Sequence, residues 1–180
     1  VQHHHAHVAA CAAEFGVTEP FIGVAYDGLG MGDDGTLWGG EVLIADLRSY
    51  RRIGRFSHAP MPGGATAARR PARMALGYIF GAETFDETPP AAAVQRAIAG
   101  EFFERIEGRE IDVVERMVGT GFNCPRASSA GRLFDTVASL LGLADDSTFE
   151  GEAALAVENA AVPGGCAELP WSLRWAQGLW

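Results

Sequence analysis

The chain has no lysine: all 14 of its basic residues are arginine. That absence excludes both a Schiff-base lysine and a P-loop lysine. Any phosphate bound here falls to arginine, backbone N–H groups or a metal ion. No apolar run approaches the roughly 20 residues needed to cross a bilayer, and no secretory apolar segment is present. We therefore expect no membrane association and a cytoplasmic setting. Cysteine is scarce and odd in number: Cys11, Cys124 and Cys166 lie far apart with no CxxC, which argues against a disulfide framework or a zinc ribbon. A net charge of −9 argues against a nucleic-acid surface, because phosphate neutralisation needs a basic stripe. Repeats and low-complexity tracts are missing too. What is present is ordinary for one globular domain: 180 residues, 48% hydrophobic and 21% charged. The sequence starts without Met and stops on the apolar "LPWSLRWAQGLW", so we expect a piece of something longer.

The order of elements reads as sheet first, helices later. Residues 2–15 have helical composition, and "PFIGVAYDG" (20–28) has strand character up to Asp27. A glycine-rich turn, "GLGMGDDG" (28–35), leads to two further strands at 36–47 and 49–60, together an antiparallel β-meander. After the "PMPGG" loop (60–64) the pattern turns helical at 65–80, 91–107, 110–119, 128–142 and 150–161. "ETFDETPP" (83–90) reads as a solvated connection. The fold class is α/β or α+β with an early sheet.

Three stretches carry candidate chemistry. In "VQHHHAHVAAC", Ala6 interrupts the histidines and no Gly/Ser linker follows, which is unlike an affinity tag. On a helix His3 and His7 stand at i and i+4 on one face, close enough for both imidazoles to reach one ion. Cys11 lies on the same stripe about 12 Å beyond His3, too far to share that ion with both, while His4 and His5 are expected on other faces. A zincin needs Glu directly after the first His, where His4 stands, so metallopeptidase chemistry is disfavoured. The alternative is a polar helix face. Asp27, at a strand end beside Gly28, Gly30 and Gly32, suits a cation or a metal-bound phosphate. A strand follows these glycines, so they form no dinucleotide fingerprint, and a plain hairpin loop explains them equally. In "NCPRASSAGRLFDTVASLLG", Ser128 or Ser129 is a helix N-cap, Arg132 sits on the first turn and Asp135 lies one turn on. An exposed Arg–Asp pair on a surface helix is the competing reading. Cys124 has no histidine spaced to activate it and is read as structural.

Taken together, "VQHHHAHVAAC", "VAYDGLGMGDDGTLWGGE", "PMPGG", "NCPRASSAGRLFDTVASLLG" and "FEGEAAL" resemble the C-terminal carbamoyltransferase domain of the HypF family, which matures NiFe hydrogenases. The resemblance runs from Val1 to about Asn159. It implies an actin/hexokinase-type, ribonuclease-H-like architecture whose second lobe is incomplete, with a first lobe at 1–64, a helical part at 65–161 and a truncated tail at 162–180. It implies that His3, His7 and Asp27 ligate an iron or zinc ion that binds the phosphate of ATP or carbamoyl-adenylate. It places Gly28, Gly131, Arg132, Asp135, Gly151 and Glu152 around the nucleotide. The implied reaction passes the carbamoyl group, derived from carbamoyl phosphate, to the C-terminal cysteine of HypE on the route to the cyanide ligand. The upstream domains and later second-lobe contacts of HypF-like proteins are not in this sequence, so we expect the piece to be inactive alone and to self-associate through uncovered apolar surface. The sequence leaves two alternatives open. One is a metal-binding module that docks a partner without catalysis; the other is a relative of the tRNA threonylcarbamoyl transferases, although "GRLFD" followed by "FEGEAA" and the "DGTLWGGE" stretch fit the HypF pattern better.

Overall fold

Gln2 starts the first helix. Its Oε1 accepts from the backbone N–H of His5 at 2.9 Å, satisfying one of the donors that a helix N-terminus leaves open. The alanine-rich stretch behind it forms α1 (His3–Glu14). The structure, a computed structural model, describes residues 1–84, 100–162, 164, 173–176, 178 and 179. Expected features at 85–99, including most of the "ETFDETPP" connection and the start of the 91–107 helix, lie outside the described residues, as do Cys166 and most of the tail.

Three strands follow α1: β1 (Phe21–Met31), β2 (Leu37–Ala45) and β3 (Tyr50–Arg55). They pair antiparallel in sequence order, as the meander reading expects. Two details differ from it. The third expected strand, 49–60, is broken into β3 and the two-residue β4 (Ala59–Pro60). The first strand does not end at Asp27. It runs through a bulge to Met31, so the glycine turn shrinks to residues 32–36, where Gly35 takes φ 78°. Asp34 locks that turn by accepting from the Thr36 N–H (3.0 Å), the Thr36 hydroxyl (2.6 Å) and the Trp38 indole (2.9 Å). Burial alone would raise its carboxyl; these bonds and Arg52 bring it down to about 2.

The helical half opens with α2 (Ala65–Arg69) and α3 (Pro71–Gly81), where one helix is expected over 65–80. The break falls at Arg70 because Pro71 has no N–H to donate and disfavours helical backbone in the residue before it. Then come α4 (Gly100–Arg105), α5 (Gly108–Thr120), β5 (Arg126–Ala127), α6 (Ala130–Leu140) and α7 (Glu152–Ala160). The short β5 has no counterpart in the expected elements. It pairs parallel to β2 (Leu37 with Ala127) and antiparallel to β4 (Ala59 with Ala127), so β3 and β5 share one edge of β2 while β1 holds the other. Through β5 the chain delivers the start of α6 to the sheet.

Burial falls into three clusters. Val8 of α1 packs on Ala25, Trp38, Leu43 and Ala45; Met61, just after β4, clusters with Ala67 of α2, Met74 of α3 and Ala127 of β5; Ala72, Ala75, Leu76, Phe102 and Val114 join α3, α4 and α5. Helix α1 sits close on the sheet because β1 carries glycine opposite it: a Cβ at Gly23 would fall 2.6 Å from Val8 Cβ. Burying a side chain of this size contributes on the order of 2 kcal/mol. A charged hub reinforces the join. Fully buried Glu41 of β2 accepts from Arg52 Nε of β3 at 2.6 Å and from the Ser128 hydroxyl, just before α6, at 2.5 Å.

Candidate metal centre and adjoining cavity

The bulge in β1 aims Asp27. Between the pairs Tyr26–Gly40 and Gly30–Trp38, β1 advances four residues against two of β2, and the surplus falls on Asp27, Gly28 and Leu29. Bulges of this kind re-aim side chains beside functional sites. The Asp27 carboxylate turns back so that Oδ1 accepts from the Gly28 N–H at 2.6 Å. Oδ2 faces α1, 2.9 Å from His3 Nε2 and 3.8 Å from His7 Nε2, and the two imidazole nitrogens lie 3.1 Å apart.

These three atoms suit a small divalent cation. Bonds of about 2.1 Å in tetrahedral geometry put ligand atoms about 3.4 Å from one another, and the three separations here bracket that value. Two imidazoles and one carboxylate are a donor set for zinc or iron(II). Both histidine side chains are half exposed, which leaves room on the open side for a further ligand. Close seating of the helix makes this possible. A Cβ at Gly30 would fall 2.6 Å from His4 Cε1 and 2.8 Å from His3 Cδ2, so only glycine admits the imidazoles over β1.

His4 and His5 differ from each other in placement. His5 turns away from the cluster as expected, with Nε2 2.8 Å from the Asp46 carbonyl and its ring on Tyr50. His4 does not. It is fully buried beneath the exposed pair, with Nε2 3.5 Å from Asp27 Oδ2. A step of one residue turns a helix by about 100°, and the bulged strand reaches into that angle, so neighbouring imidazoles approach the same carboxylate. Burial lowers the His4 pKa, against the opposing charges of Glu41 and Asp27.

A second group assembles on the other side of Gly28. Ser129 is the N-cap of α6: its hydroxyl oxygen accepts from the Arg132 N–H at 3.0 Å and its proton is shared between the Asp27 and Gly28 carbonyls. A Cβ at Gly131 would lie 2.9 Å from Gly28 Cα, so the helix start rests directly on the bulge. Arg132 and Asp135 are not an exposed surface pair. Both are buried, and Arg132 Nε approaches Asp135 Oδ2 to 2.5 Å without completing an aligned hydrogen bond. Burial pushes the Asp135 carboxyl up, with Arg132 acting against it.

Arg132 and Asp135 border a cavity of about 310 Å³ together with Leu29, Arg69, Thr148, Phe149 and Gly151. Its size is at the small end for ligand pockets. Gly28 separates it from the His3–His7–Asp27 cluster, and a Cβ there would come 3.5 Å from Glu150 Oε1. Gly151, with φ 84°, caps α7. Glu152 is not brought to the cavity wall: its Oε2 accepts from the Thr148 N–H at 2.5 Å and the Thr148 hydroxyl at 3.0 Å. Cys124 is half-buried, its thiol pushed up by burial against a Gly63 backbone contact, which matches a structural role. His4 and Arg69 are the additions that sequence reasoning did not supply. Arg69 carries no motif; it borders the cavity from the last residue of α2.

Residues 23–177 match the family model described as the carbamoyltransferase Kae1-like domain, second subdomain. The chain belongs to the HypF carbamoyltransferase family. It is 44% identical over 166 residues to carbamoyltransferase HypF2 of Cupriavidus necator, covering 89% of this chain and 18% of that protein. A carbamoyltransferase HypF homolog of the same organism is 43% identical over 161 residues, covering 89% of this chain and 38% of the relative. Full-length HypF, solved in its phosphate- and nucleotide-bound form, superposes with a TM-score of 0.80 at 38% identity, over 91% of this chain and 20% of that one. HypF of T. kodakarensis gives 0.69 at 34% identity, over 88% of this chain and 21% of that one. The chain thus spans between about a fifth and two fifths of the HypF proteins it matches, and its mixed α/β fold is that of their Kae1-like domain. No helix among the described residues is long and apolar enough to cross a membrane.

Proposed function

We propose that this chain supplies part of a carbamoyl-transfer site, in which carbamoyl-adenylate, made from carbamoyl phosphate and ATP, gives its carbamoyl group to the C-terminal cysteine of a HypE-like acceptor. The observation that carries this reading is the convergence of His3, His7 and Asp27 two residues along β1 from Leu29, which borders a cavity with Arg132, Asp135 and Gly151. In this reading those three residues hold an iron or zinc ion, which supplies Lewis-acid neutralisation of a phosphate. Gly28 and Gly131 let the nucleotide pass close to the backbone, and the positive end of α6 faces the same anion. Arg132, fixed by Asp135, adds N–H donors, and the second carboxylate oxygen of Asp135 accepts a ribose hydroxyl. The acceptor thiolate adds to the carbamoyl carbon and AMP leaves with the electron pair of the broken C–O bond.

Residues 1–64 and 65–161 serve in this account as the sheet-bearing and helical parts of one partial domain, followed by the tail from 162. The piece is proposed to need the rest of a HypF-like protein for turnover, and the cytoplasm, with its ATP and carbamoyl phosphate, is the proposed setting. AMP binding that requires added zinc or iron and vanishes in His3→Ala and His7→Ala supports the reading. AMP binding unchanged by metal or by those substitutions contradicts it. One observation favours a docking role as a second reading: an apolar groove of about 510 Å³ runs between α1 and the outer edge of β1, past Cys11, Phe15, Phe21 and Val24. Metal-independent capture of a HypE-like protein without nucleotide affinity would favour it.

A further inference from the structure

A short chain of hydrogen bonds fixes which nitrogen of His4 carries its proton. The Gln2 amide oxygen is committed to the His5 N–H, so its nitrogen is the end that meets His4. That nitrogen donates to the Met31 carbonyl at 3.2 Å and lies 3.1 Å from His4 Nδ1. A donor there requires Nδ1 to accept, so a neutral His4 is protonated at Nε2. His4 is 0% exposed and packs beside Trp38, with ring centroids 5.9 Å apart. Its Nε2 completes no hydrogen bond, and Asp27 Oδ2 stands 3.5 Å away.

We propose that His4 is a positioning residue for Asp27: the Nε2–H of a fully buried imidazole attracts Oδ2 and keeps it turned toward His3 and His7, while the Gly28 N–H holds Oδ1. At 3.5 Å the contact orients the carboxylate electrostatically more than it bonds it. The consequence for cation affinity rests on the proposed metal site. The contact itself does not, because it belongs to the protein alone. Partners that orient a metal-ligating group typically alter affinity 10–100-fold.

Two measurements on the full chain test this. In long-range proton–nitrogen correlation spectra of the metal-free protein, His4 is expected to show a protonated Nε2 and an unprotonated Nδ1, with the Nε2 resonance moving in Asp27→Asn. A proton on Nδ1 overturns the proposal. In titrations with zinc(II) alone, His4→Phe, which keeps the ring volume without a donor, is expected to bind about 10–100-fold more weakly. His4→Gln, which restores an N–H near the Nε2 position, is expected to return to within about 3-fold of the parent. Parent-like zinc affinity in His4→Phe overturns the proposal, as does equal weakening in both variants when both melt like the parent. A parent protein that takes up no zinc refutes the metal reading alone, and the proton position still decides the contact between His4 and Asp27.

Discussion

Replacing Glu41 with alanine is expected to destabilise the fold more than other single changes outside the apolar core. Its carboxylate is completely buried and accepts four bonds: Gly39 N–H at 3.1 Å, Gly40 N–H at 3.3 Å, Ser128 Oγ at 2.5 Å and Arg52 Nε at 2.6 Å. Removing one partner of a buried ion pair costs about 3–5 kcal/mol, because the other charge is left uncompensated. Arg52 has only 8% of its side chain exposed but retains Asp34 at 2.8 Å, which places the loss near the lower end, about 3 kcal/mol. In a domain of this size each kcal/mol moves Tm by roughly 2–4 °C, so the melt should fall by about 6–12 °C. Circular dichroism melts of Glu41→Ala read this directly. The double change Glu41→Leu with Arg52→Leu removes both charges and should recover at least half of the loss. A fall of less than about 2 °C in Glu41→Ala would refute the view that this carboxylate joins β2, β3 and the start of α6.

Three further outcomes are expected. Gly30→Ala puts a methyl group where His3 and His4 now sit, so zinc affinity should drop at least about 10-fold; parent-like affinity would show that the close seating is dispensable. Burial foremost, with Arg55 assisting, lowers His58 from 6.5 to about 4, and bidentate Arg55 foremost lowers Glu83 from 4.5 to about 2. Both folded values lie below the unfolded ones, so both contributions are full above about pH 7. The His58 contribution is lost as pH falls from 6.5 toward 4 and the Glu83 contribution from 4.5 toward 2. Urea midpoints should show a loss of about 2 kcal/mol between pH 7 and pH 5 that His58→Phe abolishes; a flat profile in the parent contradicts this. Ile22, Val24 and Tyr26 are 68%, 52% and 68% exposed on the edge strand β1, a surface that should drive concentration-dependent association. Light scattering that reports a monomer at all concentrations, or association unchanged when all three become serine, would count against it.

Local patterns survived into the structure, and features made by pairing between distant segments did not announce themselves. The i, i+4 spacing of His3 and His7 depends on nothing beyond one helix, so their shared face is legible in the sequence, as is the meander from three stretches of strand character separated by short turns. Ser129 as the cap of α6 follows from the same local logic. The bulge at Asp27 was not legible, because an extra pair of residues in β1 exists only relative to β2. Two-residue β5 is too short to carry a period, and it is placed by Leu37 and Ala59, far away in the chain. The approach of His4 to Asp27 is hidden in the sequence for a related reason. Its direction on the helix was right, but Gly30 lets the strand come close enough to meet it. Arg132 and Asp135 look like surface residues in sequence and are buried because the helix that carries them lies against β1 and the 147–151 loop.

Whether His3, His7 and Asp27 hold one cation together is read by zinc(II) titration of the chain and its His3→Ala, His7→Ala and Asp27→Ala variants. The parent is expected to bind one equivalent, and each variant to lose at least about 100-fold in affinity. No stoichiometric binding by the parent, or binding that survives all three substitutions, would contradict it.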